Sequence, residues 1–268
     1  MSDYVDIHTH ILPAIDDGPR TMAESVELAR TLVSAGFDTV VATPHTGEGQ
    51  SEPALILERL QELQVELKRL GIPLEVLPGA EHHIEPATLE RLRRGEILTL
   101  NNSRHLLLEL PFFQPLPIYT MQLISDLSAA GYVPVIPHPE RATALLEKPQ
   151  LIFELYRAGA LFQVSWGALT GKLGPEANRL VKAMLAANLA HFFATDAHHA
   201  GTRLLQLEKA AALLEQEKGS AFVTEVLSTR PRRLITGRLH ELPPAEALPD
   251  RGEIKTSFIS RFRRTIGH

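Results

Sequence analysis

The feature that most constrains this chain is an alternation that repeats along nearly its whole length. Short, β-branched apolar runs are each followed by a loop and then by an amphipathic helical stretch. The runs are Tyr4-Val5 with Ile7, Thr39 to Ala42, Leu74 to Leu77, His105 to Glu109, Val133 to Ile136, Leu161 to Val164 and His191 to Ala194. A buried strand reads this way, because it is apolar on both faces and only a few residues long. The helical stretches run from Met22 to about Ala35, from Pro53 to Leu70, from Pro86 to Arg94, from Ile118 to Ala130, from Leu151 to Ala158 and from Pro175 to Ala187. Thr21 caps the first, with Glu24 as its capping-box partner, and Gly36 stops it. Leu57, Leu60, Leu63, Leu67 and Leu70 are expected on the buried face of the second. Alternating strand and helix predict an α/β fold with a parallel sheet, and seven or so units predict closure into a barrel.

The ends of the strands carry a chemical regularity. Six of the seven finish in a residue able to bind a metal or carry a proton: His8 with His10, His45, Glu81, Glu109, His138, and Asp196 with His198. Residues two apart on an extended segment point the same way, so His8 and His10 can present both imidazoles to one point. An HxH taken alone is equally a pair of surface histidines. In a parallel barrel, however, all C-terminal strand ends meet at one mouth, and there the side chains converge. The loop after His10 adds Asp16 and Asp17.

Five histidines and the carboxylates Asp17, Glu81, Glu109 and Asp196 are too many for one ion and suit two or three. Mixed nitrogen and oxygen donors without sulfur fit Mn, Fe or Zn better than Mg or Ca. Clustered divalent ions would lower the pKa of bound water and attract an anion, for which a phosphate ester is the natural candidate. Arg141, three residues after His138, and Arg203, five after His198, fall in loops at the same mouth, and each offers a planar fork suited to phosphate. His82, His83 and His199 adjoin ligand positions but are expected to point away or to stand behind them. His105 and His191 begin strands and read as structural, and Trp166 as packing or rim.

Composition narrows the alternatives. The chain has 268 residues and no cysteine, which excludes disulfides, thiolate metal sites and a thiol nucleophile. A net charge of −5 argues against nucleic-acid binding. The opening MSDYVD has neither a basic nor an apolar leader, and no run approaches a membrane span, so the expected compartment is the cytoplasm.

In order, the segments DIHTHILPAIDDG, VATPH, PGAEHH, LLLELP, IPHPER and FFATDAHH resemble those of the polymerase and histidinol phosphatase (PHP) superfamily. More closely, they resemble the bacterial metal-dependent protein tyrosine phosphatases of capsule and exopolysaccharide clusters, the CpsB/YwqE type. The resemblance covers roughly residues 3 to 236. It implies a distorted (β/α)7 TIM-like barrel and three divalent transition-metal ions, manganese ahead of iron or zinc. By analogy, one ion would take His8, His10, Glu81 and Asp196, a second Glu81, Glu109 and His138, and a third Asp17, His45 and His198. Arg141 and Arg203 fall where the family binds phosphate. Where relatives often carry a basic residue or histidine after the motif at His45, this chain has Thr46-Gly47. The implied reaction is hydrolysis of phosphotyrosine by a metal-activated hydroxide, on the tail of a bacterial tyrosine autokinase that controls polysaccharide export.

Two other readings stand beside this one: another PHP phosphoesterase acting on histidinol phosphate or a small ester, and a docking module without turnover. The barrel is expected to span residues 1–240, with a linker and basic tail over 241–268. In that tail Ile254, Phe258, Phe262 and Ile266 recur every four residues among Lys255, Arg261, Arg263 and Arg264. As a helix it would be basic and amphipathic, suited to weak contact with an anionic membrane surface.

Overall fold

The computed structural model describes residues 3–46, 52–201, 207–239 and 241–254. Its strands are β1 (Tyr4–Thr9), β2 (Phe37–Ala42), β3 (His45–Thr46), β4 (Glu75–Pro78), β5 (Glu81–His83), β6 (His105–Glu109), β7 (Val133–Pro137), β8 (Leu161–Ser165) and β9 (Phe192–Ala194). They form two parallel sheets, β1-β2-β4 and β3-β5-β6-β7-β8-β9. β2 and β3 are one run of chain broken at Thr43-Pro44, where proline has no N–H to give a ladder. β4 and β5 are broken likewise at Gly79-Ala80. A Cβ on Gly79 would stand 2.6 Å from Val41 Cγ1 of β2, so only glycine lets the break lie this close to β2.

The two sheets meet at the C-terminal ends of β1 and β9. Thr9 bridges Ala197 in parallel, Asp196 N–H donates to His8 O at 2.9 Å, and His10 N–H donates to Ala197 O at 2.9 Å. Because every pairing is parallel, all C-terminal strand ends open toward the same side.

Eleven α-helices are described: α1 (Met22–Ser34), α2 (Pro53–Arg69), α3 (Thr88–Arg93), α4 (Thr120–Ala129), α5 (Thr143–Glu147), α6 (Gln150–Ala158), α7 (Trp166–Leu169), α8 (Pro175–Ala186), α9 (Leu207–Lys218), α10 (Ser220–Thr224) and α11 (Arg230–Ile235). The expected helices are present, with ends shifted by a residue or two. Thr21 Oγ1 accepts the Glu24 N–H at 3.2 Å, while the Glu24 carboxylate takes the Arg20 N–H at 2.6 Å rather than that of Thr21. The buried face of α2 is Ile56, Leu60, Leu63 and Leu67, and Leu57 is 46% exposed. The expectation for Leu57 was wrong by one position: at 100° per residue Ile56 lies closer to the centre of the stripe set by the other three.

Strand alternation divides the interior into two clusters. On β6, Leu106 and Leu108 join the larger cluster, packed beneath the helices, whereas Leu107 joins a smaller one with Val41, Val135, Leu161, Phe192 and Leu234. Glu109 continues the Leu107 side one pleat further along. The stem beneath the site is thus filled by apolar side chains, and the polar cluster lies above it.

Residues 241–254 lie along the outside, with Glu246 N–H on Ala187 O at 2.9 Å, Arg251 on Glu176 at 2.6 Å and Leu248 buried. Lys255, Phe258 and the rest of the basic tail lie outside the described residues. Among the described residues no helix is long and apolar enough to cross a membrane.

Candidate metal centre

At the end of β1, His8 Nε2 and His10 Nε2 face each other at 3.2 Å. Glu81, the first residue of β5 and 1% exposed, is the hub below them. Its Oε2 lies 3.2 Å from His8 Nε2, 3.3 Å from His10 Nε2 and 3.2 Å from His45 Nδ1, and its Oε1 lies 2.8 Å from His138 Nε2. Asp196 Oδ1 stands 3.6 Å from His8 Nε2, 3.5 Å from His10 Nε2 and 3.5 Å from His198 Nδ1. On the outer side, Asp17 Oδ1 is 3.2 Å from His198 Nε2 and 3.6 Å from His45 Nε2. Glu109 Oε1 is 3.6 Å from His138 Nε2. All nine ligand-type residues named from the sequence therefore come together. Arg203 lies outside the described residues.

The rings are aimed by groups behind them. His8 Nδ1 is 2.8 Å from Gln163 Oε1, and His10 Nδ1 is 2.7 Å from Asp16 Oδ2. An Nδ1–H donated to either oxygen leaves Nε2 as a lone pair directed at the centre. Asp16 also accepts the N–H groups of Gly18 and His45, at 2.9 and 3.1 Å. A Cβ on Gly18 would overlap the His10 carbonyl oxygen, so this turn requires glycine. Asp6, fully buried, accepts from His8 N–H at 3.1 Å and Thr195 N–H at 3.2 Å, tying the β1 and β9 ends together. Burial pushes its carboxyl up to about 6 against those bonds.

Two ligand residues adopt left-handed backbone: His138 has φ 32° and Asp196 φ 51°. Non-glycine residues hold that region at a cost of about 1–3 kcal/mol each, and surrounding contacts must enforce it. For His138 part of the enforcement is the next residue but one: Glu140, buried, accepts the Ser165 N–H at 2.8 Å and pins the turn to the end of β8. Asp196 is gripped on both sides by the β1 pairing described above.

The electrostatics of the cluster favour positive charge at its centre. Burial opposes protonation of His8 and His10. Even so, the charges of Glu81 and Asp196 raise His8 to about 8, and bonds to Asp16 and Glu81 raise His10 to about 10. Burial also opposes charge on Glu81, yet His8, His10 and His138 hold its carboxyl well below the usual range. Nitrogens facing one another at 3.2 Å need a proton or a cation between them. His45 Nδ1 is buried with no hydrogen-bond partner, although Glu81 is close. Donor atoms lie within 4.8 Å of one another in four overlapping groups: His8-His10-Glu81; Glu81-Glu109-His138; His10-Asp17-His45-His198; and His45-His83-Glu109. This all nitrogen-and-oxygen donor set fits divalent transition-metal ions.

In the fourth group His83, half exposed, stands against the ligand-type carboxylate Glu109, one of the two places expected for it. Its Nδ1 lies 2.6 Å from Glu109 Oε2, and its ring is parallel to that of His45 at 5.9 Å between centroids. Glu81 and His83 are two apart on β5 and share a face, by the same rule that pairs His8 with His10. His82, between them, turns the other way onto Thr46 Oγ1 and Leu98 O. Gln163 was missed. Its only mark in the sequence is a polar residue within the apolar run Leu161 to Val164. Trp166 is packing: it is buried and stacks on Phe193 at 4.8 Å.

Arg141 reaches the cluster as the sequence suggested. Its Nη1 is 3.3 Å from Asp196 Oδ2, and its guanidinium lies 4.2 Å over the Phe112 ring. That ring meets His138 edge-on at 5.3 Å. A cation held at the lip of a polyimidazole cluster suits an anionic ligand.

Comparison with known proteins agrees with this chemistry. The family model described as capsular polysaccharide synthesis, CpsB/CapC, matches residues 4–236. The tyrosine-protein phosphatase YwqE of Bacillus subtilis is 41% identical over 218 residues, covering 81% of this chain and 85% of YwqE. The putative tyrosine-protein phosphatase CapC of Staphylococcus aureus is 38% identical over 228 residues, 84% of this chain and 87% of CapC. A crystal structure from work on YwqE of B. subtilis and CpsB of Streptococcus pneumoniae, described as unique metal-dependent tyrosine phosphatases, superposes with a TM-score of 0.86. It is 37% identical and covers 91% of this chain and 99% of its own.

Proposed function

The chain belongs to the CpsB/CapC family of capsular polysaccharide synthesis, and from that premise we propose how its strand ends work as a metal-dependent protein tyrosine phosphatase. The observation that carries the reading is the convergence of nine imidazole and carboxylate side chains beneath Arg141. The two sheets, joined at Thr9 and Ala197, act as one distorted (β/α)7 barrel of the PHP type over residues 1–240. Residues 241–254 are appended to its outside, with Leu248 buried.

His8, His10, Glu81 and Asp196 would hold one ion, Glu81, Glu109 and His138 a second, and Asp17, His45 and His198 a third. Manganese is the expected metal, ahead of iron or zinc. When bound, such ions supply a water of lowered pKa and positive charge against the phosphoryl oxygens. The chain's own residues do the rest. Gln163 and Asp16 fix the His8 and His10 rings so that both Nε2 atoms face inward. Arg141, braced on Phe112, offers two parallel N–H donors to the phosphate as charge builds on it, and Arg203 is assigned the same role from its place after His198. With no cysteine in the chain, the nucleophile of thiol-dependent tyrosine phosphatases is absent.

The phosphoprotein we propose as substrate is a bacterial tyrosine kinase of a polysaccharide system, met in the cytoplasm. Weak contact of the 255–268 tail with an anionic membrane surface would bring the two together. Unchanged liposome binding after truncation at Pro243 would remove that contact.

The test is to strip the protein with chelator and restore Mn, Fe, Zn, Co or Mg singly. Phosphate release is then assayed from a phosphotyrosine peptide and from histidinol phosphate. A transition metal should restore release, with the peptide preferred. Faster turnover of histidinol phosphate would assign the chain to a small phosphate ester instead.

A further inference from the structure

Beside the metal centre the structure carries a second feature, a groove of about 590 Å3 between the loop after β6 and the α5–α6 corner. One wall is Phe113 to Pro117 with Met121 of α4; the other is Ala144 and Glu147 of α5, Leu151 and Glu154. The volume is in the range of sites that hold small ligands or a few side chains. Phe113 is 88% exposed and Ile118, just past the wall, is fully exposed. Two large apolar side chains held in water within six residues mark an interaction surface more often than a packing fault. Pro115 and Pro117 restrict the loop and remove two N–H groups, so the wall is stiff.

The groove is continuous with the site. Phe112, under the Arg141 guanidinium and against His138, is followed by Phe113, whose ring centroid is 6.2 Å away. The two walls are joined at that end by Thr143 N–H donating to Phe112 O at 2.7 Å. From His138 to Phe113, two ring-to-ring steps of 5.3 and 6.2 Å that need not be collinear span at most about three residues of extended chain. Charge gives the groove a direction. Arg141 stands at the end nearest the metals, while the groove itself is lined by Glu147 and Glu154 against the single cation Lys148, so phosphate is favoured at the Arg141 end.

We propose that this groove binds the polypeptide flanking the phosphotyrosine, with an apolar side chain about three residues away seated against Phe113. The proposal rests on the phosphatase reading above and adds to it a determinant of substrate choice. Because the groove touches the peptide and not the reacting phosphorus, it should act through KM.

The experiment uses the full chain loaded with the metal that supports phosphate release. It compares kcat/KM for p-nitrophenyl phosphate and for two phosphotyrosine peptides that differ only in Leu or Ser three residues from the phosphotyrosine. The Leu peptide should be favoured by about tenfold, the discrimination expected of one apolar pocket. Phe113→Ser and, on the opposite wall, Ala144→Gln should each abolish that preference by raising KM for the Leu peptide, with p-nitrophenyl phosphate unchanged. Equal rates on the two peptides in the unaltered protein would overturn the groove assignment while leaving the phosphatase intact. So would a parallel loss on p-nitrophenyl phosphate in both variants. If removal of residues 255–268 speeds both peptides equally, the chain's own terminus is the occupant and the assignment falls. No release from any of the three substrates would instead overturn the phosphatase reading, and the groove's role with it.

Discussion

Histidines at the two ends of the strands are equally buried and in opposite electrostatic states. At the C-terminal ends, burial is overcome: His8 rises to about 8 and His10 to about 10, because Glu81, Asp196 and Asp16 stand beside them. At the strand starts burial prevails. His105 falls to about 4 and His191 to about 3, pushed the same way by Arg104 and Arg230. His191 stacks near Tyr156 and Phe162, at 5.7 and 5.9 Å, and its Nδ1 accepts the Phe162 N–H at 3.0 Å. It serves as a neutral, polar-edged aromatic ring. The contrast recurs within β5, where His82 drops to about 4 on the apolar face while Glu109 raises its neighbour His83. What separates His8 and His10 from His105 and His191 is therefore the carboxylates around them, since all four are buried; at His45 burial still wins over Glu81 and lowers the ring.

The largest expected effect lies at the upper end. Asp196→Ala with His198→Ala should cut phosphate release by more than about 100-fold, beyond the 10–100-fold seen when only a group supporting a ligand is lost. Release left unchanged while kinase binding persists would make the upper histidines no more catalytic than the lower ones. The chain would then be a docking module. Next, Gln163→Leu should weaken metal affinity by about 10–100-fold, measured by competition with a chelating dye, because His8 loses the acceptor that aims its ring. Unaltered affinity would mean that the ring is held by packing alone.

The smallest effect tests the lower end. Below an unfolded pKa of about 6.5 the unfolded chain takes up a proton at His191 that the native state refuses until about 3. Stability from this residue is therefore complete above pH 6.5 and lost as pH falls, by roughly 2 kcal/mol at pH 5. Denaturation of the metal-free protein at pH 7 and pH 5 should show a shallower pH slope in His191→Asn. An unchanged slope would mean that His191 is not held neutral.

Much of this molecule is legible locally. A ladder of apolar runs and amphipathic stretches identifies a parallel α/β fold, since strand and helix periods depend on neighbours a few residues apart. The same period of two pairs His8 with His10. Applied to Glu81 and His83 it puts both on one face, where His83 reaches Glu109. Leu57 was legible too, since helix geometry places Ile56 nearer the centre of the stripe set by Leu60, Leu63 and Leu67. Asp16 and Gln163 were not legible in their roles. Gln163 meets His8 across 155 residues of chain, and only closure of the sheets brings them to 2.8 Å.

The sequence by itself determined which chemistry stands at the strand ends, because residue type and strand register are local properties. Tertiary structure alone decided how that chemistry is held. The left-handed turns at His138 and Asp196, the aim of each imidazole and the groove running out from Phe112 all arise from contacts between distant segments. No local periodicity encodes such contacts; they exist only once the strand ends have met.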